Sequence, residues 1–306
     1  MSVQIGVVGA GAIAEQHVTA LLGAGAELTA VADPDPVRAG GLIQEAATYR
    51  NADDLFAHPG LDAVVIASPN DMHAPQTIAA LRAGLHVLCE IPVGMSLKEA
   101  QAVAAASKIA SRHVAVAHTL RFCQPYRAVR GLVDSGELTV RHVVARTLMH
   151  RQRNVGLEGR TRTWTDDVRW HHGAHTVDAA LWLLAAEVAA VSGGAGPAWP
   201  GSGRTMDAGL VLTTPSGGIA TIALSYHARL PARELTIIAE DTTLRIDGGQ
   251  LLSPDGIVVD CGNTAKMERL GLIRQDEEFV AAVAGGRQPT CTVNDVLPTM
   301  RALEQL

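Results

Sequence analysis

Three histidines fall within five residues, at His171, His172 and His175, and Asp178 follows three positions later. On a helix, His171 and His175 are four positions apart and share one face, while His172 sits one position round and meets another surface. A neutral imidazole titrates near the working pH, so such a residue suits the removal of a hydroxyl proton as hydride leaves the same carbon. His175 is the first candidate for that base and His171 the second, with His172 beside the substrate. Two histidines at this spacing also suit a metal, but the run has no H-E-x-x-H pattern, and no metal is expected. The plainer alternative is one chemical histidine and two structural ones.

A second group opens the chain. The apolar residues 3–8 run without polar alternation into Gly9-Ala10-Gly11-Ala12-Ile13-Ala14, as a buried strand does where it turns into a helix. Gly9 permits the tight turn, Gly11 lets the backbone approach a pyrophosphate, and the small Ala14 lets the helix pack close. The phosphates would lie at the helix start, on Ala12 and Ile13, where N–H groups and the positive end of the dipole point outward. Asp33 ends the second strand, where a carboxylate accepts hydrogen bonds from the adenosine ribose and repels a 2′-phosphate. That points to NAD, with Arg38 keeping NADP open. Asp33 as a simple cap for a helix starting at Pro36 is the structural alternative.

The elements that must position these groups alternate through the first part: strands at 27–32, 48–49, 63–67, 85–89 and 114–117, with helices at 12–22, 36–47, 53–57, 75–84 and from Ser96. This predicts a doubly wound parallel sheet with ligands at the carboxyl ends of its strands. Beyond Arg121 the pattern changes to a helix at 125–134, a long strand at 138–148 and a helix from about His171. Strands at 209–213, 219–225, 235–239, 243–246 and 257–259 follow, then helices at 275–284 and 293–304. The expectation is an α/β chain with a Rossmann domain at 1–120 and an α+β domain with a large, mainly antiparallel sheet at 121–306.

Composition narrows the class. At 306 residues and 47% hydrophobic, the chain supports two domains with sizeable cores. A net charge of −6 argues against a nucleic-acid partner. The four cysteines, Cys89, Cys123, Cys261 and Cys291, form no C-x-x-C pair, as expected of reduced core residues in a cytoplasmic protein. No apolar run approaches a bilayer's thickness, so no membrane partner is expected. One face of the antiparallel sheet is left without a helix, and a second copy covering it makes a homodimer the expected state.

Four motifs in order, GAGAIA, SPNDMHAP, AGLHVLCEIP and GAHTVD, resemble the Gfo/Idh/MocA oxidoreductases across essentially the whole chain. The resemblance implies that Ser68, Asn70 and His73 lie along the cofactor's ribose and pyrophosphate. It implies that Glu90, with Ile91 next to it, sits beside the nicotinamide. The structural alternatives are a helix-capping His73 and a Glu90 paired with a nearby arginine. The family's usual E-K-P lysine is Ile91 here, which cannot titrate, and the aspartate usual four residues before its histidine is His171. The run 162–178, E-I-P at 90–92 and H-T-x-R-F at 118–122 resemble a branch that also lacks the lysine. That branch oxidises a carboxylated semialdehyde from aromatic ring fission, as its cyclic hemiacetal, to a lactone, and is generally associated with NADP.

Charge agrees with an acidic substrate. Seven arginines, Arg141, Arg146, Arg151, Arg153, Arg160, Arg162 and Arg169, lie within 141–169 against Glu158, Asp166 and Asp167, a local net charge of +4. Guanidinium forks bind carboxylates bidentately. Arg121, Arg151, Arg153 and Arg162 are the substrate candidates, whereas Arg141 and Arg146 read as exposed strand positions. Trp164 and Trp170 suit stacking on a flat ring or anchoring the loop. A sugar or cyclitol dehydrogenase of the same family, and a non-catalytic NAD-binding regulator, are the competing readings.

Overall fold

The computed structural model describes residues 2–155, 159, 161, 167–200 and 203–306. They form two compact units.

The first unit runs to Ala117 and takes back Leu272–Leu297. Its elements are β1 (Gln4–Val8), α1 (Ala12–Gly23), β2 (Glu27–Ala32), α2 (Pro36–Leu42), β3 (Ala47–Tyr49), α3 (Ala52–Phe56), β4 (Ala63–Ile66), α4 (His73–Arg82), β5 (His86–Cys89), α5 (Leu97–Ala110) and β6 (Val114–Val116). The strands lie in the order β3-β2-β1-β4-β5-β6, all parallel. The chain therefore reverses its winding between β1 and β4, the crest at which such sheets bind ligands. Val7, Val65 and Leu88 are fully buried, as central strands covered on both faces require. Ser96 accepts the N–H of Glu99 and caps α5, as its capping-box pattern predicts. α2 stops at Leu42 instead of running to residue 47; Gly40 and Gly41 weaken any helix through them.

The second unit comprises His118–Val155, the described part of 160–271, and Pro298–Leu306. It contains α6 (Gln124–Asp134), β7 (Val140–His150), α7 (Ala174–Leu184), β8 (Ala190–Ala195), β9 (Asp207–Thr213), β10 (Ile219–Ser225), β11 (His227–Ala239), β12 (Thr243–Asp247), β13 (Gln250–Ser253) and β14 (Gly256–Asp260). The sheet order is β14-β13-β12-β11-β7-β10-β9-β8. β7 and β10 pair in parallel and the other neighbours antiparallel. Leu210, Leu212, Ala220 and Ile222 point to the buried face and Val211 and Ile219 to the exposed one, the period-2 alternation of a sheet covered on one side. α7 packs on β7 and β10. It ends at Leu184, because Ala185 turns left-handed at φ +51°.

Two helices complete the chain, α8 (Thr264–Ala284) and α9 (Val293–Glu304). α8 begins eleven residues before the expected start at Gln275, since Asn263 caps it by accepting the N–H of Lys266. Gly271 inside it is a packing device: a Cβ there would stand 2.6 Å from Cys123 Sγ. Farther along, Phe279 and Val280 join Ile5, Val7 and Leu21 in the first unit's core. Among the described residues no helix is long and apolar enough to cross a membrane.

Gly9 is the tightest point of the first unit. Its φ is +93°, and a Cβ there would stand 2.5 Å from the carbonyl oxygen of Ala67. Gly9→Ala is expected to cost about 2 to 3 kcal/mol of stability and to abolish dinucleotide binding, read by denaturant unfolding and calorimetric titration.

Candidate active site

In the first unit the glycine turn joins β1 to α1 with its backbone exposed to close approach. The Gly9 N–H donates to Ala32 O at 2.8 Å, docking the turn on β2. A Cβ on Gly11 would meet only the Arg38 guanidinium, at 3.8 Å, so the backbone there is open to close approach. No side chain caps the first-turn N–H groups of α1, which suits a helix start that receives an anion. Ala12 and Ile13 lead that turn, and Ala14 is fully buried against the sheet.

Asp33, at the end of β2, is bound to the glycine turn. Its Oδ2 accepts the Ala10 N–H at 2.8 Å and its Oδ1 the Asp35 N–H at 2.9 Å, tying the carboxylate to the glycine turn. The cap of α2 is instead Asp35, which accepts the N–H groups of Val37 and Arg38. The simple-cap alternative thus belongs to Asp35.

After β4, Ser68 donates to Gln76 and Asn70 is buried. His73 is 1% exposed, with Nε2 at 2.8 Å from Ser68 O and Nδ1 at 2.8 Å from Pro92 O. It joins the loop after β4 to the loop after β5. Glu90 pairs with a histidine, not an arginine: its Oε1 is 2.9 Å from His17 Nε2. Its Oε2 accepts the Ile91 N–H at 3.1 Å, and the Ile91 side chain is buried.

In the second unit the histidine run does not start as a regular helix. Residues Arg169–Gly173 form a π-helical turn in which the Gly173 N–H reaches Val168 O at 2.7 Å, an insertion frequent at functional sites. Gly173 is needed because a Cβ there would meet Leu224 at 2.9 Å and Val168 O at 3.0 Å. The turn stacks His171 on His172, centroids 4.3 Å apart and 6° from parallel. His172 is buried, and its Nδ1 lies 2.6 Å from the Tyr226 hydroxyl. Burial pushes its pKa well below 6.5, reinforced by His171, Arg233 and Arg151, so it stays neutral. Its ring thus faces inward onto Tyr226.

His171 and His175 are half-buried. His175 meets His118 edge to face at 5.9 Å, and His118 Nδ1 is 3.3 Å from Asp178 Oδ2. Asp178 is buried and takes a bidentate fork from Arg121, at 2.8 and 2.7 Å, and the Thr299 hydroxyl at 3.1 Å. Burial would raise its pKa, but Arg121 and His118 outweigh that and hold it low. Arg121 was expected on a substrate carboxylate; its planar fork is instead engaged by Asp178.

The basic segment resolves unevenly. Arg141 and Arg146 pair with Glu240 and Glu234 across β7 and β11, and Arg169 with Asp167 at 2.9 Å. Arg151 lies 5.7 Å over the Tyr226 ring and Arg153 is exposed. Arg162 and Trp164 lie outside the described residues. Trp170 is buried and anchors its turn. Sequence reading passed over His118, whose signal was the H-T-x-R-F run. It also passed over Arg204, 1% exposed and donating to the carbonyls of Arg151 and Gln152.

Residues 3–118 match the profile of an oxidoreductase family with an NAD-binding Rossmann fold, and 125–251 that of bacterial oxidoreductases, C-terminal. The 4-carboxy-2-hydroxymuconate-6-semialdehyde dehydrogenase of Sphingobium sp. is 31% identical over 99% of this chain and 97% of its own. Inositol 2-dehydrogenase of Corynebacterium glutamicum is 32% identical over 62% of this chain and 56% of its own. An oxidoreductase from Agrobacterium radiobacter, solved with NAD+, L-tartaric acid and magnesium, shares the fold. Its TM-score is 0.88 at 20% identity, covering 99% of this chain and 95% of that one.

Asp33→Ala should narrow the preference for NAD over NADP by about tenfold, since a carboxylate facing a 2′-phosphate costs on the order of kcal/mol; the ratio of kcat/KM values for the two coenzymes measures it.

Proposed function

This chain belongs to the Gfo/Idh/MocA oxidoreductase family, and we propose that, as an NAD(P)-dependent enzyme of that family, it oxidises the cyclic hemiacetal of a carboxylated semialdehyde to the corresponding lactone. The substrate of choice is 4-carboxy-2-hydroxymuconate-6-semialdehyde, giving 2-pyrone-4,6-dicarboxylate in the breakdown of aromatic compounds. The observation that carries this reading is the similarity to the Sphingobium enzyme through both units, where the Corynebacterium inositol dehydrogenase matches over little more than half its length. Ile91 in place of the usual lysine fits the same branch.

Bound nicotinamide supplies the hydride acceptor; Gly9, Gly11, Asp33 and the loop after β4 hold the dinucleotide, with Glu90 at its nicotinamide end. His175 takes the hemiacetal hydroxyl proton, assisted by His171. His118 and the low-pKa carboxylate of Asp178 lie behind it, so the imidazolium that forms faces a negative charge instead of an uncompensated interior. Arg151, Arg153 and Arg162 bind the substrate carboxylates, with Trp164 against the ring. We place the reaction in the cytoplasm, where buried thiols such as Cys89 and Cys123 stay reduced. A second copy on the exposed sheet face that carries Val211 and Ile219 makes the protein a homodimer.

A nicotinamide-reduction assay against the ring-cleavage product of protocatechuate and against myo-inositol tests the substrate: turnover of the polyol but not of the semialdehyde overturns the choice. In that assay His175→Ala should lower kcat about a hundredfold or more, and a near-normal kcat removes His175 as the base. Val211→Glu should convert dimer to monomer in light scattering.

A further inference from the structure

The first unit contains a buried ionisable cluster for which hydride transfer itself has no use. His17, on α1, is 0% exposed. Its Nδ1 lies 2.7 Å from Asp276 Oδ2 and its Nε2 2.9 Å from Glu90 Oε1. Both neighbours are acceptors when ionised, so satisfying both requires a hydrogen on each ring nitrogen, which is the imidazolium form. Burial alone would lower the His17 pKa, but the charges and hydrogen bonds of Asp276 and Glu90 overcome it and raise it to about 10. Asp276, on α8, also accepts from Gln275 at 3.1 Å. Burial pushes the pKa of Asp276 up, against the pull of His17.

An ion triad of this kind is a poor stabiliser, because desolvation offsets most of the attraction and an apolar trio of similar volume would serve the core as well. Its placement gives it a use. Asp276 and His17 are closed off, whereas the Glu90 side chain keeps 15% exposure at the carboxyl end of β5, beside the strand where the sheet reverses its winding. Held at Oε1 by His17 and at Oε2 by the Ile91 N–H, its carboxylate is restricted to one orientation. Preorganisation of that sort lowers the ordering cost of binding.

We propose that His17, backed by Asp276, is a positioning residue that clamps Glu90 as a fixed acceptor for the nicotinamide half of the cofactor. The proposal rests on the reading above that Glu90 faces that half. It separates the two ends of the dinucleotide: the glycine turn and Asp33 hold the adenosine end without help from His17.

Calorimetric titration of the full chain with NAD and with ADP-ribose, which lacks the nicotinamide, tests this without any substrate. His17→Gln should weaken NAD about tenfold and leave ADP-ribose within twofold of wild type. Glu90→Gln should do the same, and the double variant should bind NAD no more weakly than Glu90→Gln alone, because the two residues act as one unit. Asp276→Asn keeps volume and should give the same selective loss to a smaller degree, which serves if His17→Gln does not fold. Equal loss of both ligands, unchanged NAD affinity, or losses that multiply in the double variant would each overturn the clamp. A wild-type chain that binds ADP-ribose but gains nothing from the nicotinamide would overturn the placing of Glu90, and the clamp with it.

Discussion

A charge taken out of water must meet an opposite charge at contact distance, and both halves of this molecule are arranged around that requirement. In the second unit, buried Asp178 is met by the Arg121 fork, the Thr299 hydroxyl and the His118 ring. Those groups reach it from the segment before α6 and from α9, so the carboxylate draws separate stretches of chain to the base of the histidine cluster. In the first unit the buried charge has the other sign: His17 is cationic and two carboxylates meet it. The second of these, Asp276, is 259 residues away in sequence, which gives α8 a polar reason as well as an apolar one to return to the first unit.

The arginine-rich segment illustrates how partners decide what a charge count means. Its net +4 is a property of residues 141–169 taken alone. In the sheet, Arg141 and Arg146 look across to glutamates on β11, about ninety residues later in the chain, and Arg169 folds back on Asp167. Exposed cross-strand pairs of this kind contribute about 0 to 1 kcal/mol each and serve mainly the register. Of the remaining arginines, Arg151 lies over the Tyr226 ring, and its carbonyl is held from inside by Arg204.

The parts legible in the sequence are those governed by short-range rules. The turn at Gly9, the buried strands, the cap at Ser96 and the α/β alternation follow from backbone sterics and periodicity within a dozen residues. Less legible are β8, which reads Ala-Val-Ser-Gly-Gly-Ala, and β13, with four residues, because neither offers enough period to count. The π-helical turn is invisible for a related reason: one inserted residue shifts the hydrogen bonding of Gly173 without altering the apolar pattern. The partners of Arg121 and His172 were not legible, because residue type alone does not say what a guanidinium or an imidazole pairs with, and Asp178 and Tyr226 lie 57 and 54 residues away from them.

Ile91 stands where the resemblance to the family expects a titratable lysine, which changes the chemistry at the end of β5. The Ile91 side chain is buried, and what this residue offers Glu90 is its backbone N–H; neither group exchanges a proton near neutral pH. Glu90 itself is bound at both oxygens, by the His17 ring and by the Ile91 N–H. The carboxyl end of β5 thus presents a carboxylate fixed in orientation beside a side chain that has no proton to exchange. In the second unit the half-buried His175 ring meets His118, which lies against Asp178, a carboxylate that Arg121 and His118 hold ionised against the effect of burial.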